Sequence, residues 1–371
     1  MASKSLPRLL FIMQLPPPVH GVSVMSKIVH ESSLIRQAFR CHFIDLSTSK
    51  SVTDLQKQKF YKWIKAFKLF VTTCSYLLFF RYKKVYITVF PYGPGFVKDM
   101  CIVLLTRLFF QQPVLHIHSY GFRKYGEQSR IRAFLYKLVF RKAEVICLSK
   151  LLVEDISPFF KGKVCILPNG VPCVNTVNEY KATSGKITLL YLSNLIRGKG
   201  IYLVLEAMAN LTQRGYQIQL RVAGPEGDVT YADLKNEVQH LQLTESVVFL
   251  GPKFGPEKYK EYKQADIFLL PSDYDTFGLV LLDAMQFGVP AISSPIGGIP
   301  DVLGENRGVL VERVDGEALT KAIEALLLSP QLRLEISSKA FEFFHKNYTT
   351  DIFEKRLVAI LDDRPETSVV V

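Results

Sequence analysis

Short apolar runs recur along the chain at intervals that suit alternating strands and helices. In the first half, Leu9 to Gln14, Val85 to Phe90, Val114 to His118, Val145 to Leu148 and Val164 to Leu167 read as strands. A second series follows at Ile187 to Leu192, Gln217 to Ala223, Val247 to Leu250, Ile267 to Leu270 and Ala291 to Ser293. Their near-continuous Leu, Ile and Val content suits strands buried on both faces, as in a parallel sheet. Between them, apolar residues fall at helical spacing, notably over Val24 to Arg40, 57 to 80 and Gly126 to Phe140. This alternation predicts an α/β fold. It breaks at Pro168-Asn169-Gly170-Val171-Pro172, and a polar segment then runs to Gly185, which predicts a linker. The expected organisation is an N-terminal domain at 1–180, a second domain at 181–345, and a C-terminal helix and tail at 346–371 able to return to the first domain. Two such domains in succession predict a cleft at the carboxyl ends of their strands.

The most informative stretch is residues 265–290. Strand Ile267 to Leu270 runs through Pro271 and Ser272 into an acidic turn, and a helix is expected from near Thr276 to Gly288-Val289-Pro290. Asp275 and Asp283 stand eight residues apart around Phe277-Gly278-Leu279. On a helix that is about 12 Å with similar facing, longer than the roughly 5–9.5 Å of a glycosidase acid pair. It suits two hydroxyl-bearing parts of one elongated ligand. Free N–H groups at the helix start, with Gly278 permitting close approach, offer a seat for phosphate between them. Sugar, phosphate and ribose in that order describe a nucleotide sugar. Upstream, Leu192-Ser-Asn-Leu-Ile-Arg-Gly-Lys-Gly200 ends a strand, presents Arg197 and Lys199, and opens a helix. Two cations at a helix N-terminus make a diphosphate clamp by charge and dipole, solvated surface charge being the alternative.

The 265–290 stretch resembles the acidic signature of the family-4 retaining glycosyltransferases, whose form is Glu, seven residues, Glu, with Gly-Phe-Gly after the first acid. Here both acids are Asp and the first Gly is Thr276. The resemblance implies a GT-B fold, two Rossmann-like α/β domains facing each other across a cleft. The family's Gly-Arg, four residues, Lys-Gly pattern matches at Lys199, with Asn194 where the family has arginine. His20-Gly21 occupies the place of its first glycine-containing loop, and Phe249-Leu250-Gly251 the segment whose backbone reads the base. Ser294 to Asp301 resembles the late glycine pair, and Pro168 to Val171 the hinge. His118 ends a strand before Ser119-Tyr120-Gly121; the resembled enzymes carry a histidine there, close to the reacting centre. His116, on the same face, is expected to be a core residue. The implied donor site comprises Gly21, Asn194, Arg197, Lys199, Leu250, Asp275, Phe277, Gly278, Leu279 and Asp283, with His118, Lys199 and Asp275 nearest the chemistry.

Composition narrows the setting. Hydrophobic residues make up 48% and charged residues 22%, as in a globular protein. Residues 1–175 hold 26 Lys and Arg against 8 Asp and Glu, a balance of +18; the remainder holds 20 against 26, or −6. Between Asp54 and Asp99, Lys59, Lys62, Lys65 and Lys68 interleave with Phe60, Trp63, Ile64, Phe67 and Phe70. Such a basic, aromatic helix suits an anionic bilayer surface, with packing into the fold as the alternative. Nucleic acid is not expected, because no nucleic-acid module appears. The six cysteines form no CxxC pair and read as reduced thiols. Neither a signal peptide nor a membrane span is expected. GxGxxG is absent after the first strand of each half, which weighs against a dinucleotide enzyme. Asp273-Tyr274-Asp275 has no nearby His or further acid, so no metal and no cofactor are expected.

Together with these features, the resemblance implies a retaining glycosyltransferase moving a sugar from a nucleotide sugar to a glycan or polyprenyl-linked acceptor in cell-surface polysaccharide synthesis. It would be cytoplasmic and peripheral at the inner membrane face. A sugar-nucleotide epimerase of the same fold, or a degenerate nucleotide-sugar binder, is the alternative.

Overall fold

The computed structural model describes residues 6–17, 19–47, 59–183, 185–312 and 315–364. It divides into two units, Met1–Asn169 with Thr350–Val371, and Gly170–Thr349. The division precedes the expected boundary at 180 because the intervening residues bond to the second unit. Asn175 Nδ2 donates to the Gln286 carbonyl (2.9 Å) and Tyr180 Oη to the Asp266 carbonyl (2.9 Å).

The first unit holds strands β1 (Arg8–Met13), β2 (Arg40–Asp45), β3 (Lys84–Val89), β4 (Pro113–Ile117), β5 (Glu144–Cys147) and β6 (Val164–Ile166). They pair in the order β2-β1-β3-β4-β5-β6, all parallel. Helices α1 (Gly21–Glu31), α2 (Ser33–Ala38), α3 (Lys59–Phe79), α4 (Gly93–Leu108), α5 (Phe122–Glu127), α6 (Arg130–Phe140) and α7 (Val153–Ile156) connect them. Leu10, Ile12, Val85, Ile87, Leu115 and Val145 fill the core beneath Val103, Tyr136 and Phe140. The single helix expected over Val24 to Arg40 is instead α1, α2 and the start of β2. Ser32, extended at φ −60° and ψ 118°, ends α1, and its Oγ accepts from Ile35 N at 3.1 Å to cap α2. The helix expected over Gly126 to Phe140 likewise divides where Ser129 caps α6.

The second unit repeats the plan with β7 (Ile187–Leu192), β8 (Ile218–Ala223), β9 (Val247–Gly251), β10 (Ile267–Leu270), β11 (Ala291–Ser293) and β12 (Val309–Leu310). Their order is β12-β11-β10-β7-β8-β9, again parallel. Its helices are α8 (Ile201–Gln213), α9 (Tyr231–His240), α10 (Gly255–Lys263), α11 (Leu279–Gln286), α12 (Ile299–Leu303), α13 (Gly316–Leu328) and α14 (Pro330–Asn347). Leu189, Tyr191, Leu220, Val222, Leu269 and Ile292 form the core with Val204 and Met208 of α8 and Ile323 of α13. Strand order reverses between β7 and β10, the point at which open sheets of this kind bind ligands.

The last helix, α15 (Thr350–Leu361), belongs to the first unit. Lys84, 1% exposed, is held by Glu144 Oε2 (2.7 Å), Asp363 Oδ1 (2.5 Å) and the Ile360 carbonyl (3.1 Å). Of the tail expected from about Asp363, residues 365–371 lie outside the described residues. All six cysteines are free, and burial pushes the Cys147 thiol up to about 12. Among the described residues, no helix is long and apolar enough to cross a membrane.

Asp99 of α4 is fully buried and accepts from Phe90 N at 3.1 Å. Burial raises its carboxyl to about 6, against the opposing charge of Lys98. The folded chain therefore keeps a proton that the unfolded chain releases between about pH 4 and 6, and stability falls as pH rises through that window. At about 1.4 kcal/mol per unit the cost at neutral pH is roughly 3 kcal/mol at most. Asp99→Asn should raise the urea midpoint at pH 7 and lose that advantage below pH ~4. A difference that persists in acid would show that the carboxyl charge is not the cause.

Candidate functional site

In the second unit, loops after β7, β8, β10 and β11 meet at the strand ends. The chain leaves β7 through Ser193 and an exposed Asn194, then makes one 3-10 turn, Arg197–Lys199. Gly200 follows at φ +79° and opens α8; a Cβ there would lie 2.0 Å from the Pro271 carbonyl oxygen. The loop after β10 is thus pressed against the turn, and Asp273 N donates to the Gly198 carbonyl at 2.9 Å. On the other side, a Cβ on Gly297 would lie 2.3 Å from the Asp275 carbonyl oxygen, and Gly298 N donates to the Thr276 carbonyl at 2.8 Å. The late glycine pair therefore fixes the acidic turn.

These contacts bring Lys199 and Asp275 together. Lys199 Nζ lies 2.7 Å from Asp275 Oδ2 and 3.2 Å from the Tyr274 carbonyl, with the two side chains 22% and 17% exposed. Asp275 Oδ1 accepts from Gly278 N at 3.1 Å. Helix α11 begins at Leu279, behind Gly278 at φ +71°, so Asp275 precedes the helix and the helical spacing expected between the two acids does not hold. The turn from Asp273 to Gly278 is set by its contacts with the neighbouring loops, and the helix starts only where these end.

Asp283 lies inside α11, 2% exposed. Its Oδ2 is 2.7 Å from Lys258 Nζ of α10, and its Oδ1 accepts from Gln286 Nε2 at 3.2 Å. Burial raises its carboxyl, and Lys258 and Gln286 oppose the rise. A ribose hydroxyl reaching this acid would share it with both. Phe277 is buried and packs edge-on against Tyr348 with ring centres 5.8 Å apart, so it offers only backbone to a ligand. Leu279 is half-buried at the start of α11, and Leu250 is half-buried near the end of β9. Arg197 is exposed, its guanidinium 4.5 Å from the Tyr202 ring centre, and its backbone N–H donates to Asp228 Oδ1 at 2.8 Å. Lys258 and Asp228 were not singled out in the sequence; each acts on a residue about 25 to 31 positions away, which no local pattern reveals.

In the first unit, the loop after β1 leads to His20, the N-cap of α1, and to Gly21 as its first residue. His20 Nδ1 accepts from Ser23 N at 3.3 Å, while Ser23 Oγ accepts from His20 N at 3.0 Å, a reciprocal cap. His118 follows β4, 7% exposed, its ring centre 3.9 Å from that of His116. Burial, with a smaller push from His20, lowers His118 to about 3, so it is neutral at any working pH. His116 is fully buried, hydrogen-bonded through Nδ1 to the Tyr86 hydroxyl, and lowered well below its usual value by burial. Asp155, also missed in the sequence, accepts from the N–H groups of Gly121 (2.8 Å), Phe122 (2.9 Å) and Arg123 (3.0 Å). It fixes the loop that follows His118. Among the described residues, no group of three His, Cys, Asp or Glu is arranged to hold a metal.

Helix α3 packs on the fold and also presents an apolar outer face. Leu69, Thr73 and Leu77 are buried at four-residue spacing, while Ile64, Phe67, Val71 and Leu78 are exposed, Phe67 by 70%. Lys68 is exposed beside them. The side chains of Lys59, Phe60, Lys62 and Trp63 lie outside the described residues.

Comparison with known proteins adds three findings. Residues 175–343 match the family model described as glycosyl transferases group 1. An uncharacterized glycosyltransferase of Methanocaldococcus jannaschii is 28% identical over 253 residues, 64% of each chain. The alpha-monoglucosyldiacylglycerol synthase of Streptococcus pneumoniae is 28% identical over 250 residues, 63% of this chain and 55% of that protein. The matches thus span less than two thirds of these curated relatives. Among solved structures, Anabaena HepE in complex with UDP and glucose superposes with a TM-score of 0.73 at 16% identity, covering 96% of this chain and 100% of that one. At that identity the likeness speaks for the fold, which is GT-B.

Removing Lys258 should strand a buried carboxylate. Lys258→Met is expected to cost about 3–5 kcal/mol in urea unfolding, and Lys258→Met with Asp283→Leu to recover much of it. Equal losses in the single and double variants would mean that the pair is not what stabilises this corner.

Proposed function

We propose that this chain, whose residues 175–343 belong to the glycosyl transferases group 1, moves a sugar from a nucleotide-sugar donor to an acceptor with retention of anomeric configuration. The observation that carries this is the Lys199–Asp275 pair at the strand-order reversal between β7 and β10. Each partner is kept in place by the other, so a donor finds both already oriented. An arriving diphosphate takes over the Lys199 ammonium, and Asp275 is released to accept from a sugar hydroxyl. Arg197 adds a second cation from the same turn, and the N–H groups at the start of α11 add a partial positive charge. Charge that builds on the departing nucleoside diphosphate is thereby stabilised, which is the main catalytic term in this reading. Asp275 is engaged with Lys199 and Asp283 with Lys258; with neither poised as a nucleophile, a same-face displacement fits better than a covalent intermediate. The HepE complex with UDP and glucose supports a nucleoside-diphosphate donor. No metal or cofactor is invoked, since Lys199, Arg197 and the helix N–H groups supply the positive charge.

The first unit takes the acceptor in this reading, a glycan or polyprenyl-linked glycan precursor of cell-surface polysaccharide. Neutral His118 at its strand ends serves as a hydrogen-bond partner for a sugar hydroxyl. In the same reading this unit docks on the cytoplasmic surface of an anionic bilayer, a role supported by the exposed Phe67, Val71 and Leu78 on the outer face of α3, with lysines at its margin. The lipid product named for the streptococcal relative supports a membrane-borne acceptor.

Lys199→Ala should weaken UDP-sugar binding and lower turnover by about 100-fold or more. Asp275→Asn should keep or tighten the binding of UDP alone while transfer falls, because the lysine is no longer shared. Unchanged turnover in Lys199→Ala would refute the clamp, and donor isomerisation without any acceptor would identify an epimerase. For the membrane face, Phe67→Ser with Leu78→Ser should reduce sedimentation with phosphatidylglycerol vesicles. Equal sedimentation of parent and variant would remove α3 from the interface.

A further inference from the structure

At the opposite edge of the first unit, where its strands begin, lies a pocket of about 870 Å³ walled by Arg8, Arg36, Arg40, Arg81 and Lys83. Its charge follows from strand register. Arg8 opens β1 and is the direct neighbour of Arg40, which opens β2; on the other side Lys83 N donates to the Arg8 carbonyl at 2.8 Å. Like charges side by side on neighbouring strands destabilise a sheet. Part of that charge is neutralised: Lys83 pairs with Asp362 at 2.9 Å, and Lys84 with Glu144 and Asp363. Among the described residues, none of the four arginines has a carboxylate within ion-pair distance. Arg8 lies 5.7 Å from the Phe80 ring centre, and its Nε is buried with no hydrogen-bond partner. Arg36 lies over Phe43 at 4.9 Å and donates to the His30 carbonyl. The positive field is felt nearby: burial lowers His42, and Arg40 and Arg8 lower it further. The pocket is of small-ligand size, and four unneutralised guanidinium groups match an anion with two or more charges and several oxygens.

We propose that this pocket binds a phosphomonoester or diphosphate group, separately from the donor site of the second unit. It has two possible sources, a free anion or the headgroup of a lipid. The neighbouring end of α3, with Leu78 66% and Phe79 75% exposed, gives a lipid chain somewhere to lie.

The test uses the full chain carrying Lys199→Ala, so that the proposed diphosphate site of the second unit is weakened and what remains of it is common to every variant compared. Inorganic pyrophosphate should raise its melting temperature, and more strongly at low salt. Adding Arg40→Gln and Arg81→Gln, both exposed and so harmless to folding, should weaken binding by about tenfold or more by calorimetry. A charge-matched control, Arg130→Gln with Lys137→Gln on α6, should bind as the parent does. Vesicles distinguish the source. Preference for phosphatidic acid over phosphatidylglycerol at equal surface charge, lost with Arg40→Gln and Arg81→Gln, identifies a lipid headgroup. Arginine-dependent pyrophosphate binding without that preference identifies a free anion. Binding of neither probe, or equal binding by the arginine variant and the control, overturns the proposal.

Discussion

At Gly200 and Gly297 a backbone carbonyl oxygen occupies the space a methyl group would need. The first contact presses the loop after β10 against the Arg197–Lys199 turn, and the second presses the loop after β11 against Asp275. Lys199 and Asp275 meet because three connections are packed backbone to backbone at the reversal in strand order. A partly exposed ion pair contributes little to stability, about 0–1 kcal/mol. In the proposed function its worth lies in holding two long-range partners in one geometry before a donor arrives. Any larger residue at either glycine would move the loops and separate the pair without touching either charge.

Much of this was legible in the sequence where the physics is local or periodic. The central strands are continuous apolar runs because helices cover both faces of their sheets, and a run such as Ile267 to Leu270 has no other good use. Edge strands carry a weaker signal. Arg-Cys-His-Phe-Ile-Asp of β2 is mostly half-exposed, and β12 is two residues long. The patterns over 265–290 and Leu192 to Gly200 singled out Asp275 and Lys199, which the fold brings into contact, but the first pattern did not give every local detail. It misplaced the start of α11, because the turn before it obeys contacts from loops twenty or more residues away. Lys258 and Asp155 were invisible for the same reason: each answers a charge or a set of N–H groups remote in the chain.

The first unit joins a strongly basic exterior to a neutral interior at its strand ends. His20, His116 and His118 are all lowered, chiefly by burial, so that none carries charge near neutral pH. A cluster of three imidazoles there acts as hydrogen-bonding surface and not as a proton store. The +18 balance of residues 1–175 is instead spent at the periphery, on the margins of α3 and at the strand-start edge.

Lys84 ties the beginning of the fold to residues made much later. Its ammonium is buried under β3 and depends on Glu144, and also on the Ile360 carbonyl and Asp363 at the end of α15. During synthesis the first unit therefore waits with a half-compensated charge and an open groove for α15 while the whole of the second unit, Gly170–Thr349, emerges. The unit begun second can thus close before the unit begun first receives its last helix. A ribosome stalled between residues 170 and 350 would carry an unfinished domain, and a protease or chaperone would meet it there.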